Sequence, residues 1–259
     1  DRELPAHGGN PWDRPPLLIA SSQLAKRKDR QPDLLAAQPW DLILVDEAHH
    51  ARRKDFLQLE RNRPNRLLEL LRQLKPKTKS LLLLTATPMQ IHPVEVWDLL
   101  ALLGLGGKWG AGEENFLRFF GEVRKPTFSE IDWEFVLKMV RDELATGGRI
   151  DPMFASEAQR QLGPVEWHQL QELLSATDPT GQIKALSERG RAFLVEMVRR
   201  HTPLRRLAQR NTRSLLRKYQ ERGILKETVP TREPKSVWIP FRDEERDLYN
   251  RIEEYISDF

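Results

Sequence analysis

The chain of 259 residues contains no cysteine, which excludes a disulfide framework and a thiolate metal centre and fits a reducing, cytoplasmic setting. Its six histidines are scattered without metal-ligand spacing. No apolar run approaches the roughly 18 residues that a membrane span requires, so a membrane is not an expected partner. The start Asp1-Arg2-Glu3-Leu4-Pro5 carries neither an initiator methionine nor a signal peptide, and the chain reads as a piece of a longer protein. An apolar fraction of 39% is low for a self-contained globule, which suggests that part of the core lies elsewhere. Internal repeats and low-complexity tracts are absent. So is any G-x-x-x-x-G-K-[ST] pattern, the glycine-rich cradle whose amides and lysine hold nucleotide phosphates. The nearest approach, Gly106-Gly107-Lys108-Trp109, lacks the earlier glycine, puts tryptophan where a hydroxyl is needed and follows a helix. It reads as a loop.

The formal charge is only +4, yet the excess is uneven. Between Arg199 and Arg222 basic residues face the single acid Glu221, and such a cluster attracts a polyanion. Arg205, Arg206, Arg210 and Arg213 are the candidate phosphate contacts. The plainer alternative is a solvated helix face, or a dock against acidic surface within the molecule.

Leu17 to Ala20, after Pro15-Pro16 and before Ser21-Ser22, reads as a short buried strand, followed by partly helical sequence to Ala37. Asp41 to Val45 and Leu81 to Leu84 are apolar without alternation. That pattern predicts parallel strands with both faces covered, linked by a helix within Phe56 to Leu74 that carries Leu57, Leu67, Leu68, Leu70, Leu71 and Leu74. Pro93 opens a further helix, which the glycines from Gly104 to Gly112 end. Glu113 to Arg200 is helical throughout, with loops at Lys125-Pro126, Thr146-Gly147-Gly148, Gly163-Pro164 and Asp178 to Gly181. Lys235 to Phe241 resembles a strand, and a charged helix starts at Asp243 with Leu248, Tyr249, Ile252 and Ile256 on one face.

The chemistry concentrates in Asp41-Leu42-Ile43-Leu44-Val45-Asp46-Glu47-Ala48-His49-His50. A carboxylate at the carboxyl end of a buried parallel strand sits where open α/β sheets place their ligands, so Asp46 is the candidate magnesium ligand. Glu47 is placed to orient an attacking water in phosphoryl transfer. His49 could relay the state of the nucleotide to the Thr85 and Thr87 hydroxyls on the neighbouring strand end. The bland reading makes Asp46 to His49 a helix cap after a strand. Trp109, Trp133 and Trp167 could stack on bases, but their setting among Phe and Leu favours a core role.

Asp46-Glu47-Ala48-His49, with Thr85-Ala86-Thr87-Pro88-Met89-Gln90 and Glu95-Val96-Trp97-Asp98-Leu99-Leu100, resembles the second-superfamily helicase core in its Swi/Snf form, a double-stranded-DNA translocase. Arg210-Asn211-Thr212-Arg213, Pro230-Thr231-Arg232 and Val237 to Tyr249 are similar to the passage between the motor lobes in bacterial, polymerase-recycling members of that family. The middle of the chain has no counterpart in the resemblance.

The resemblance implies an α/β fold: a partial RecA-like parallel sheet flanked by helices, a largely helical insertion and a C-terminal linker strand and helix. It implies the later half of a first motor lobe at 1–103, the insertion at 104–200, a basic helical connector at 201–231 and the start of a second lobe at 232–259. ATP and magnesium are the implied cofactors, with Asp46, Glu47 and His49 catalytic. Thr85, Ala86, Thr87 and Gln90 would couple hydrolysis to movement, and Ser21 and Ser22 would lie near the DNA backbone. Ile91-His92 departs from the polar pair usual after the glutamine.

Double-stranded DNA and the remainder of the motor are the expected partners, with a protein partner on the insertion and a nucleoid-associated, cytoplasmic location. Without the phosphate loop and the second lobe, the chain is not expected to hydrolyse ATP unaided. Three parallel strands would leave an open sheet edge and an apolar face without its helices. Two other readings fit the same residues: a helicase-like scaffold that binds a protein partner without hydrolysis, and a strand-unwinding helicase.

Overall fold

The computed structural model describes residues 9–54, 63–89, 92–176, 178–231, 233–237, 240 and 242–257. Leu57, Gln90, Arg232 and the Trp238, Ile239 and Phe241 positions of the expected C-terminal strand lie outside the described residues, as does the side chain of Ile256.

Strands β1 (Trp40–Val45) and β4 (Thr78–Leu83) form a parallel pair in the register Ile43↔Leu81, Leu44↔Leu82 and Val45↔Leu83. Between them come the two-residue strands β2 (Arg53–Lys54) and β3 (Arg63–Pro64), paired antiparallel, and helix α3 (Arg66–Leu74). Asn65 starts α3 by accepting the Leu68 amide on its side-chain oxygen at 3.0 Å, the usual way an asparagine satisfies an orphan donor of the first turn. Leu67, Leu68, Leu70, Leu71 and Leu74 then recur at helical spacing and are all buried. Helix α4 (Val94–Leu103) follows β4 and stops at Gly104, whose φ of 95° is left-handed.

Helices flank this sheet on one face. Val45, Leu81 and Leu83 pack against leucines of α3 and α4. Ile43 joins Trp12, Leu34, Leu70 and Leu74, with Leu34 contributed by α2 (Gln31–Ala36). This is the α/β arrangement expected, consistent with part of a RecA-like lobe. Coverage of both faces is not found: Leu42, Leu44, Leu82 and Leu84 are 42 to 54% exposed. Nor is a third strand found at Leu17 to Ala20. Those residues pair with no strand, Leu17 and Ile19 are exposed, and Leu18 alone leans on the core ahead of the short helix α1 (Ser22–Ala25). A strand is defined by its hydrogen-bonded neighbour, and none of the described residues supplies one.

Between 113 and 200 the described residues are largely helical, as their patterning predicts. The glycine segment differs from expectation, because it folds into helix α5 (Gly107–Ala111) rather than a loop. Helices α6 (Glu113–Val123), α7 (Trp133–Ala145), α8 (Pro152–Leu173), α9 (Thr180–Ala185) and α10 (Glu188–Arg200) build a core around Trp109, Phe119, Leu137, Leu170 and Leu194. The expected break at Gly163-Pro164 is a kink within α8, where Gly163 takes φ 76°. Helix α11 (Pro203–Leu207) closes this first compact unit, Asp1–Gln209. The second unit, Arg210–Phe259, holds α12 (Arg213–Glu221) and α13 (Asp243–Ser257). On α13, Leu248, Tyr249 and Ile252 are about half exposed or more. Among the described residues no helix is long and apolar enough to cross a membrane.

Candidate active site

The carboxyl ends of β1 and β4 are laced together beyond the last sheet residues. The Leu84 amide donates to the Val45 carbonyl at 2.8 Å, and the Ala48 amide returns to the Leu84 carbonyl at 2.8 Å. This exchange keeps the loops that begin at Asp46 and at Thr85 together. To make the turn, Glu47 adopts φ 49°, the only left-handed residue other than glycine among those described. Such a backbone costs an ordinary residue about 1 kcal/mol or more and recurs at functional turns. The Asp46 carboxylate steadies the turn by accepting the Glu47 amide on Oδ1 at 2.9 Å.

His49 sits between the two strand ends. Its Nδ1 lies 3.1 Å from Thr85 Oγ1 and 3.1 Å from Glu47 Oε2. Thr85 Oγ1 also accepts the Thr87 amide at 3.1 Å. His49, Thr85 and Thr87 are therefore linked by hydrogen bonds across two loops 36 residues apart in sequence, with the Glu47 carboxylate beside the same His49 nitrogen. Behind it, Asn65 donates to the His50 carbonyl at 2.6 Å, which fastens the loop to the start of α3. Asp46 and Glu47 themselves are exposed, so both carboxylates can reach a ligand.

Among the described residues no cluster of three histidines or acids could hold a metal by itself. That donor set does not fit a metal caged by protein alone. It fits magnesium carried on a nucleotide, which keeps most of its waters and needs only one or two carboxylates besides phosphate oxygens. Asp46 can offer Oδ2 for that purpose, since its bond to the Glu47 amide uses Oδ1.

The remaining sequence candidates separate. Ser21 caps α1, accepting the Leu24 amide at 3.1 Å, while Ser22 is exposed beside it. Arg205 is exposed on α11. Arg206 is engaged otherwise: its Nε lies 2.6 Å from the fully buried Glu143 carboxylate. Arg210 and Arg213 belong to the second unit, so the basic run is not one helix but two, parted at residues 208–212. Ala86 stands in the loop between Thr85 and Thr87. Trp109, Trp133 and Trp167 are core residues, none more than 9% exposed. In the glycine segment the Lys108 amide donates to Asp142 Oδ2 at 2.6 Å, and the same carboxylate crowds Gly107. An acid already occupies the position that a phosphate would need.

One cluster has no counterpart among the sequence candidates. Asp98 on α4 is completely buried, and its Oδ1 accepts Arg53 Nε at 3.1 Å, Arg53 Nη2 at 3.0 Å and Arg72 Nη2 at 3.0 Å. Arg53 also reaches Glu113 at 2.6 Å and lies over the Trp97 ring. Burial pushes the Asp98 carboxyl above the ordinary carboxylate range, against the pull of Arg53 and Arg72. The participants lie up to 60 residues apart and no local spacing announces them.

Fold and site together define an α/β sheet fragment whose two strand-end loops bring acids, a histidine and threonine hydroxyls together. Over 94 residues the chain is 37% identical to the RNA polymerase-associated protein RapA of Erwinia tasmaniensis, and 37% identical to the protein of that name from Yersinia pseudotuberculosis. The Actinobacillus pleuropneumoniae protein of the same name is 35% identical over 94 residues. Each match covers 36% of this chain and 9% of the relative's length. No family model matches the chain, and no solved structure matches it.

Proposed function

We propose that the chain is part of the ATP-hydrolysing motor of a Swi/Snf-type double-stranded-DNA translocase, active within a longer protein that supplies the phosphate loop and the second lobe. The observation that carries this reading is the bridge from Glu47 through His49 to Thr85 across the carboxyl ends of two adjacent parallel strands. That place is where open α/β sheets bind their ligands.

Asp46 would hold the nucleotide's magnesium, which supplies charge neutralisation on the phosphates. Glu47 would accept a proton from the attacking water, with His49 beside its carboxylate to orient it. His49 would hand any movement of Glu47 to Thr85, Ala86 and Thr87, and so to the loop that leads toward Gln90. Ser21, Ser22, Arg205, Arg210 and Arg213 would contact DNA phosphates, which suits a motor that must pass every sequence. Arg206 serves structure instead. The segments 1–103, 104–200, 201–231 and 232–259 would be lobe, insertion, connector and second-lobe start. The name of the relatives makes RNA polymerase the first protein partner to test.

The test is Glu47→Gln in the full-length protein. Loss of a general base lowers turnover by about 10² to 10⁴ while nucleotide affinity holds. ATPase turnover and nucleotide binding, measured side by side, decide the matter: unchanged turnover would leave the scaffold reading in its place.

A further inference from the structure

A groove of about 570 Å³ opens where the end of α6, the turn at residues 124–126 and the end of α10 meet. That size matches a site for one or two side chains or a small ligand. Its apolar lining is Phe119, Phe120, Val123 and Pro126, of which Phe119 is fully buried, and Arg124, Lys125, Arg199 and Thr202 complete it. The three cations are not equivalent. Lys125 is already held by Glu122 Oε2 at 2.7 Å and by the Glu130 carbonyl at 2.9 Å. Arg124 and Arg199 are exposed, and neither forms an ion pair among the described residues. Their neighbours differ sharply: Arg200 binds both Glu196 and Asp151, and Arg118 binds Asp132.

Two unneutralised guanidiniums beside an apolar lining ask for a ligand that offers carboxylates and an apolar group together. Guanidinium forks match carboxylates with two parallel hydrogen bonds, while the lining rewards burial of a hydrophobic side chain. A nucleic-acid strand fits less well. Two cations at a pocket mouth do not make a track for successive phosphates.

We propose that this groove binds an acidic peptide segment of a protein partner, with an aromatic or aliphatic side chain against the apolar lining and flanking carboxylates on Arg124 and Arg199. The site shares no residue with the strand-end loops, so the proposal stands or falls apart from the ATPase reading.

The test is fluorescence anisotropy on the full-length protein with a labelled peptide that carries one phenylalanine between pairs of aspartate and glutamate. Saturable binding is expected, at least ten-fold weaker for the same peptide with alanine in place of the aromatic residue. Arg124→Glu combined with Arg199→Glu should weaken it at least as much, whereas Lys138→Glu on exposed α7 surface should leave it unchanged. The milder pair Arg124→Gln and Arg199→Gln, with an unaltered thermal midpoint, removes misfolding as an explanation. Three outcomes overturn the proposal. Equal affinity for the alanine peptide means charge alone, stronger arginine-dependent binding of a duplex DNA means a nucleic-acid surface, and competition by 3-phenylpropionate as effective as the whole peptide means a small-acid site.

Discussion

At Asp98 a carboxylate with no solvent exposure accepts three hydrogen bonds on one oxygen, and its other oxygen has no hydrogen-bond partner among the described residues. Burying an ion is expensive, and breaking a buried pair leaves the survivor uncompensated. Asp98→Ala strands the Arg53 guanidinium, 10% exposed, with Glu113 as its remaining carboxylate. A loss of about 3 kcal/mol is expected by denaturant unfolding. Asp98→Asn should be milder and should also change the pH dependence. Because burial raises the Asp98 carboxyl in the folded chain, the folded state holds that proton more tightly than the unfolded state. Its contribution is therefore present below the ordinary carboxylate value and is lost as pH rises from there through the raised folded value. Glu122 and Asp151 are lowered and work in the opposite sense, so unfolding free energy measured for both chains across that acid range isolates Asp98 in the difference curve. A difference that is flat with pH would show that Asp98 does not titrate there.

Elements differ in how plainly their residues announce them. The parallel pair and α3 are legible, because an unbroken apolar strand and leucines at helical spacing have few other ways to bury themselves. The adjacency of the two strand ends follows from pairing β1 and β4 in parallel, and the contact of His49 with Thr85 bridges them. The helix α5 is not legible: its glycines at 106, 107 and 110 argue for a loop, and only long-range packing overrides them. Trp109 is fully buried there, donates its Nε1 hydrogen to the Met139 carbonyl at 2.9 Å and meets the Phe119 ring edge-on at 4.7 Å. The Arg53 cluster is illegible for the same reason, since charged residues separated by 45 and 60 positions read as solvated surface until the fold joins them. If α5 is held by tertiary contact rather than propensity, Trp109→Ala should cost about 3 to 5 kcal/mol and melt that segment first. Hydrogen exchange is the discriminating measurement. Early loss of protection at residues 107–111 supports this account, and uniform loss across α6 and α7 would contradict it.

For the whole chain the informative surface is the bare side of the parallel pair. Leu44 and Leu82 are register partners there, with Leu42 and Leu84 two residues along the chain from them, an exposed apolar group of the kind that marks an interface rather than a finished surface. Each leucine is roughly half exposed, so covering it is worth about 1 kcal/mol. Replacing Leu42, Leu44 and Leu82 together with threonine introduces β-branched residues suited to a strand while removing the apolar driving force. In the 259-residue chain the triple variant should scatter less light at high concentration with little change in thermal midpoint, because none of the three belongs to a core cluster among the described residues. In a longer protein that contains the phosphate-binding half of a lobe, the same substitutions should lower the midpoint, because there these leucines would be core. A variant that behaves alike in both settings would mean that no further layer packs on this sheet, and the proposal of a completed motor lobe would fail with it.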